Sequence, residues 1–410
     1  MQTLTSKEYL QIDIANNFGL DKELWDTRLQ WFADNEDTLL ELVSEAEEPA
    51  KFYAGVKAYH KAIKGDAIGY PIGLDATASG AQLLAIMSGC EKSAALSNVV
   101  NTGARKDYYT ENDKFMREAL PDMIGNSRKS LKNAMVPWFY GSEKEPNTVY
   151  GENTAERQVF EQVLEQNSPG IYQLREALVT LWNPNTTAHS WVMPDNFHVR
   201  VKVKDEVAYP FMFMETQDDL LVKEVMPKEK GISNAANITH SVDGFVVREM
   251  VARCYYDADK IIFIKHCLSL TKQNRDGEVG SGHAMRLRTK KAKQVQTLVD
   301  RYNDTGFFSA RFLDLIDEDT IFLVPREPLL ALLESLPAKP FQLLVNHDCF
   351  YCLPNYGNDL RRQYNQCLYE LAKSDILQDI INQLCGKNAP VLHKLGLDPE
   401  LILNADYALS

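Results

Sequence analysis

The chain is expected to be an α+β protein, mostly helical around a small antiparallel sheet. Three observations predict this. Apolar residues recur at helical spacing over residues 1–60 and again over about 80–180. Two short β-type runs, "YPIGLD" and "FQLLVNHDCFYCLP", stand far apart, and the second reads as two strands turning at His347-Asp348. Residues 197–225 alternate polar and apolar, as a hairpin would.

The composition supports a globular chain. Its 410 residues are 45% hydrophobic and 25% charged, enough for a large core in two or more sub-domains. No apolar run reaches the length that spans a bilayer, and "MQTLTSKEYL" is not a signal peptide, so no membrane partner is expected. Seven scattered cysteines suit a reducing cytoplasm. Cys349 and Cys352 form a C-x-x-C with no second pair nearby, which reads better as buried small residues than as a zinc or redox site. A net charge of −13 argues against a surface coated for DNA. Any nucleic-acid contact must then be local, in a cleft.

In chain order, residues 1–60 read as acidic helices, and "YPIGLD" delivers Asp75 at a strand end. Helices follow to about 180, then the hairpin of 197–225, then a helix over 240–256. Residues 272–293 are basic and glycine-rich, a loop running into a helix. The strand pair around His347-Asp348 and further helices complete the chain.

Three motifs carry chemistry. Asp75 and Asp348 each sit where a strand stops and a side chain can face a cleft. Two converging carboxylates suffice to hold two Mg²⁺ ions about 3.5–4 Å apart, since magnesium keeps most of its waters and takes the rest of its ligands from substrate phosphates. Surface acids are the competing reading. "RKSLKNAMVPWFYG" places Arg128 and Lys132 four apart on one helical face, with Tyr140 rotated by only about 80° from Lys132 in a regular helix. That face offers two cations for a triphosphate and a ring for a base or sugar; a solvated basic face is the alternative. Finally, "DATASGAQ" strips the space after Asp75 of every large side chain.

Together the motifs resemble the single-subunit, bacteriophage and mitochondrial type RNA polymerases. The family's first palm motif, D-x-x-x-S-G-x-Q, is met by Asp75, Ser79, Gly80 and Gln82; its fingers helix, R-x-x-x-K followed by Y-G, by Arg128, Lys132, Tyr140 and Gly141; its second palm motif by His347 and Asp348. Weaker likenesses are "HSWVMPDNFHV", "THSVDG" with His240, Tyr109 in "RKDYYTENDKF", and the closing "ADYALS". The resemblance runs from about residue 48 to the end. It implies a right-hand fold of palm and fingers. The segments expected are a helical N-terminal segment for partner docking (1–47), palm with the first catalytic aspartate (48–95), fingers (96–196), a specificity hairpin (197–235), a fingers continuation with an inserted element (236–335), and palm with the second catalytic aspartate and a C-terminal foot (336–410).

The resemblance also implies roles. Asp75 and Asp348, with the carbonyl of Ala76, would hold two Mg²⁺ ions; Asp75, Lys132 and Asp348 would be catalytic. Arg128 would grip the triphosphate and Lys132 the leaving pyrophosphate. Gly80 would leave room for a ribose 2′-hydroxyl that Tyr140 senses, with Gly141, His240 and Tyr109 also at the substrate. Arg200, Lys202 and Lys204, alternating along a strand, would face promoter DNA, with a solvated strand face as the other reading. Implied partners are nucleoside triphosphates, a DNA template, an RNA product and a helper protein for promoter opening, in the cytoplasm of an infected bacterial host.

The departures matter as well. Pro137 falls inside the fingers helix and should kink it just before Tyr140. About 100 residues separate "THSVDG" from His347, so an inserted element of roughly 80 residues is expected within 250–330. Only 74 residues precede Asp75, too few for the family's thumb and promoter domain. The likeness is therefore closest to the larger chain of a split, heterodimeric phage polymerase, whose second polypeptide would supply those parts; of the apolar face of Leu20, Leu24, Trp25, Leu29, Trp31, Phe32, Leu39, Leu40 and Leu42, part would pack on this chain's own palm and the rest would dock that polypeptide. A related DNA polymerase and a non-catalytic scaffold are the alternatives.

Overall fold

The computed structural model describes residues 1–121, 127–271 and 289–410. Helix α1 (Ser6–Ala15) starts at a capping box: Thr5 Oγ1 accepts the Glu8 N–H at 3.2 Å and the Glu8 carboxylate accepts the Thr5 N–H at 2.6 Å. Helices α2 (Trp25–Asn35) and α3 (Pro49–Ala62) pack on it, and strand β1 (Ile72–Asp75) follows. Asp13, on the buried side of α1, accepts the Gly73 N–H at 2.8 Å and the Tyr70 hydroxyl at 2.7 Å, so the first helix fixes the strand that carries Asp75.

Helix α4 (Ser79–Ser88) is buried from Ala81 to Ser88 and forms the centre of the main core. Around it lie α5 (Glu91–Leu96), α6 (Tyr108–Ala119), α7 (Arg128–Phe139), α8 (Lys144–Tyr150), α9 (Ala155–Asn167) and α10 (Pro169–Thr180). Gln82 is fully buried; its amide donates to Thr77 Oγ1 and to the carbonyls of Ser97 and Ala408, and its oxygen accepts from the Tyr364 hydroxyl at 2.8 Å. The glutamine of the "DATASGAQ" stretch thus ties this stretch to the end of the chain.

Strands β2 (Ala188–Val192) and β3 (His198–Lys202) form one antiparallel pair, and β4 (Lys204–Phe213) and β5 (Thr216–Val225) form another. The expected single hairpin over 197–225 is therefore two separate two-stranded sheets. Arg200 and Lys202 lie on β3, paired with β2, while Lys204 opens the ribbon β4–β5. Alternation reported strands correctly, but period-2 spacing does not say which strand pairs with which. The expected 197–235 segment opens one residue before β3, and the next helix, α11 (Ser233–Cys254), starts inside its other end.

A second hydrophobic core joins α12 (Ala258–Thr271), α13 (Lys290–Thr305), α14 (Phe312–Leu315) and α15 (Arg326–Ser335), with Phe308 stacked on Phe312 at 4.3 Å. This is where the inserted element was expected. The glycine-rich residues 272–288 of the expected loop lie outside the described residues. Strands β6 (Leu344–Asn346) and β7 (Cys349–Cys352) complete a three-stranded antiparallel sheet in the order β1-β7-β6. Cys349 and Cys352 are both free thiols, and an odd spacing on a strand sends them to opposite faces. Helices α16 (Gly357–Lys373) and α17 (Ile376–Cys385) follow.

The apolar face of residues 1–47 is largely covered by the chain itself. Trp25, Phe32 and Leu39 are buried, and Leu29, Trp31 and Leu42 pack against the main core. Trp25 stacks on Tyr407 at 5.2 Å, with Arg28 at 4.6 Å and Arg361 at 5.1 Å from its ring. Leu24 and Leu40 stay exposed. Intramolecular packing of part of this face was expected, and it extends to most of it; an apolar stripe in a sequence does not reveal how much of its cover is intramolecular. Among the described residues no helix is long and apolar enough to cross a membrane.

Replacing Gln82 by Leu keeps the volume but strands the Tyr364 hydroxyl and two buried carbonyls. Urea unfolding should show a loss of about 3 kcal/mol.

Candidate active site

The sheet register brings the two aspartates together. Asp75 is the last residue of β1 and pairs with Cys349, the residue after Asp348. The Ala76 N–H donates to the Asp348 carbonyl at 3.1 Å, and Ala76 also bridges to Leu409 of the chain end. His347 and Asp348 form the two-residue turn between β6 and β7, and His347 takes φ 57°. A non-glycine residue in the left-handed region is uncommon, and here it sits at the turn that aims Asp348. Both aspartates line a cleft of about 870 Å³ with Ala76, Gly80, Arg105, Asp107, Tyr109, Arg128, Lys132 and Tyr140.

The opposite wall is α7. Ser127 caps it, accepting the Ser130 N–H at 3.2 Å, which places Arg128 and Lys132 in its first two turns. Both cations lie over the ring of Tyr109, at 5.5 and 5.7 Å from its centre. Arg128 is also paired: its Nε and Nη2 both donate to Asp107 Oδ2, at 2.9 and 2.6 Å. Among the described residues no carboxylate pairs with Lys132. Arg105, half-buried, donates to the Lys22 carbonyl at 3.0 Å and to Ser410 Oγ at 3.2 Å, and burial lowers its pKa.

Pro137 lies inside α7, and the helical path breaks just before Tyr140, where a kink was expected: the helix ends there, two residues after the proline. The Pro137 carbonyl accepts from the N–H of Tyr140 at 3.1 Å and of Ser142 at 3.0 Å, and Trp138 accepts from Gly141 at 2.9 Å. Gly141 has φ 90°, the left-handed residue that such a helix ending requires. It is not among the residues that line the cleft, and its backbone turns the chain after Tyr140. Tyr140 therefore occupies the C-cap position, free of helical periodicity, with its ring 4.8 Å from that of His240 on α11. His240 is exposed and outside the cleft lining.

Gly80 faces Tyr140 directly. A Cβ on residue 80 would lie 2.8 Å from the Tyr140 hydroxyl oxygen. The emptied space after Asp75 is occupied by this hydroxyl, so the glycine first makes room for a side chain of the protein. Arg200, Lys202 and Lys204 are not brought to the cleft.

Three residues escaped the reading of the sequence. Asp107 was legible as a helix cap before "YYTENDKF": its Oδ1 accepts the Thr110 N–H at 2.8 Å. Its second oxygen, turned to Arg128, was not. Arg105 carries no motif. Asp243, in "THSVDG", lies close enough to Asp348 for the two charges to interact; burial first, and then that charge, raise its pKa to about 6.

Asp75 is also raised to about 6, by burial and then by the charge of Asp348, with Lys132 acting in the opposite direction. The residue is exposed to solvent in the cleft, so cleft water moderates the effect. A carboxyl whose folded-state pKa lies above its unfolded value loses stability as pH rises through the folded pKa. The Asp75→Asn protein should therefore have a higher Tm than the parent at pH 8, with the difference vanishing at pH 4, by calorimetry.

Gly80 and Tyr140 should be energetically coupled. Gly80→Ala gains helix propensity, about 1 kcal/mol, but meets the Tyr140 hydroxyl. Removing that hydroxyl with Tyr140→Phe should recover the clash, giving a coupling of about 1–2 kcal/mol in a double-mutant cycle; additive effects would show that the two groups do not touch.

Two comparisons bear on what this cleft is. No curated protein matches the chain. Residues 3–138, which carry Asp75, Gly80, Tyr109, Arg128 and Lys132, match the family model for DNA-dependent RNA polymerase.

Proposed function

We propose that the chain is a DNA-directed RNA polymerase that adds ribonucleotides in a template-directed manner, with Mg²⁺ as its cofactor. The observation that carries this reading is the opposition of two adjacent strand-end carboxylates, Asp75 and Asp348, to Lys132, which has no carboxylate partner among the described residues, and the Arg128 beside it, in one cleft within and next to the family-matched residues.

The donor set fits magnesium. Among the described residues no cluster of three His, Cys, Asp or Glu side chains is placed to hold a metal, but Mg²⁺ needs only one or two carboxylates when substrate phosphates and water complete its shell. Asp75 and Asp348 would hold the ions with the Ala76 carbonyl, and mutual repulsion of the two carboxylates favours a cation between them. When bound, a metal pair supplies charge neutralisation at the attacking and leaving oxygens.

The remaining steps belong to this chain's side chains. Lys132, free of any carboxylate among the described residues, neutralises charge on the departing pyrophosphate. Arg128 holds the triphosphate by its guanidinium, released from or shared with Asp107. Tyr109 supports both cations from below. Tyr140 presents a hydroxyl beside Gly80, where it senses the sugar, and His240 steadies its ring. Palm and fingers correspond in this reading to the three-stranded sheet with α4 and to α6–α10. The template, the RNA product and the nucleoside triphosphates meet in the same cleft. A DNA polymerase reading is less favoured because Gly80 and Tyr140 leave no bulky acid to block a ribose.

The test is extension of a primed RNA on a DNA template with Mg²⁺. The parent should incorporate ribonucleotides in preference to deoxynucleotides. Asp75→Ala and Asp348→Ala should lose activity by orders of magnitude and also lose the rise in Tm that Mg²⁺ gives the parent. Near-parental extension by Asp348→Ala would overturn the assignment.

A second measurement separates Arg128 from its counter-ion. Asp107→Asn keeps the helix cap and removes the charge that competes with a triphosphate. The KM for nucleotide should fall by about 2–5-fold, with kcat little changed, matching one half-exposed ion pair of under about 1 kcal/mol. A raised KM would mean that Asp107 positions Arg128 for the substrate.

A further inference from the structure

The ribbon β4–β5 stands apart from the body of the molecule. Each strand has ten residues, about 34 Å of extended chain, and most of both faces is open to solvent. The register puts Val207 opposite Val222, Tyr209 opposite Leu220 and Phe211 opposite Asp218, with Phe213 next to the turn. One face is therefore a stripe of Val207, Val222, Tyr209, Leu220, Phe211 and Phe213, and the last four are 46–63% exposed. A two-stranded ribbon with an uncovered apolar face is marginal in water.

The ribbon also has a charge polarity along its length. The outer half, residues 211–221, carries Glu215, Asp218 and Asp219 and no lysine or arginine. At the base lies a groove of about 540 Å³ between the two small sheets and the start of α11, with Trp182 and Ile232 on its walls. Lys202, Lys204, Lys228 and Lys230 line it, and no carboxylate does, although Asp205 reaches in to pair with Lys228 at 2.8 Å. An acidic, apolar tip and a lysine-lined groove with apolar walls are complementary, yet a straight ribbon cannot bring its own tip to its own base. A two-fold axis can: laid face to face and tip to base, two ribbons satisfy both grooves at once.

We propose that the ribbon is a self-association arm, and that two copies of this chain dimerise by laying each ribbon's apolar face on the other's, with each acidic tip in the other's lysine-lined groove. DNA is a poor occupant for the ribbon, because its phosphates would meet carboxylates at the tip. The inference does not rest on the polymerase reading, since no residue of the ribbon or groove lines the catalytic cleft.

Sedimentation velocity over a micromolar concentration series tests it. The parent should show a monomer–dimer equilibrium that weakens with salt. Phe211→Ser with Leu220→Ser, both at exposed positions, should give a monomer of unchanged Tm. Charge reversal supplies the sharper arm. Asp218→Lys with Asp219→Lys, and separately Lys202→Glu with Lys230→Glu, should each be monomeric alone, and the two proteins mixed should form a heterodimer because one tip-to-groove contact is then restored with exchanged signs and the other is the parental one. A parent that stays monomeric throughout would overturn the proposal, leaving the ribbon to a different protein. So would a failure of the mixed variants to associate. Loss of affinity for single-stranded DNA in the Lys202→Glu, Lys230→Glu protein, with the parent monomeric, would reassign the groove to a phosphate backbone.

Discussion

The pairing of Ile72–Asp75 with Cys349–Cys352 is the constraint on which the cleft depends. Two carboxylates far apart in the chain become neighbours only because these four residues run antiparallel in one register. A slip of one residue would turn Asp75 to the other face of the sheet and separate it from Asp348. Three contacts guard the register. Asp13 on α1 holds the Gly73 N–H, the Ala76 N–H meets the Asp348 carbonyl, and Ser410 exchanges backbone hydrogen bonds with Asp75. The ends of the chain therefore serve the same few residues as its middle.

The same sheet sets an electrostatic conflict. Asp75 and Asp348 repel, and burial raises the cost, as the upward shift of Asp75 shows. Such a site is less stable than its surroundings require, which is the usual mark of a place kept for a charged ligand. The facing helix is arranged to answer it. Lys132 has no carboxylate partner among the described residues, whereas Arg128 is already satisfied by Asp107. Two cations that look equivalent in the sequence thus differ in readiness. One waits for charge, and the other must exchange one anion for another.

Beyond the cleft, the molecule adds a second core and an uncovered ribbon. The second core is joined to the first by a buried ionic group: Arg253, at the end of α11, pairs with Glu249 at 3.3 Å and with Glu370 at 3.0 Å, and Glu249 accepts the Ala310 N–H at 2.9 Å. Removing one member would leave an unpaired buried charge, so this group fixes the orientation of the added element more than it stabilises the fold. The ribbon has no such anchor beyond its base, where Lys228 pairs with Asp205.

The sequence by itself located most of the elements and the side chains that line the cleft. Helical spacing, the short strands around Asp75 and Asp348, and the motifs holding Arg128, Lys132 and Tyr140 were legible because each depends on residues close in the chain. Surplus length over 250–330 was legible too, and a second core lies within it. What only the tertiary structure decided depends on distance in the chain. Tyr140 fills the space over Gly80 because a proline and a glycine end its helix there. Asp107 occupies Arg128 because two helices cross. Arg200 and Lys202 part from Lys204 because strand pairing is non-local, and most of the N-terminal apolar stripe is covered by the chain itself, with Trp25 against Tyr407 and Phe32 against Tyr59. Local patterns report which surface a residue offers; only the packed chain reports what meets it.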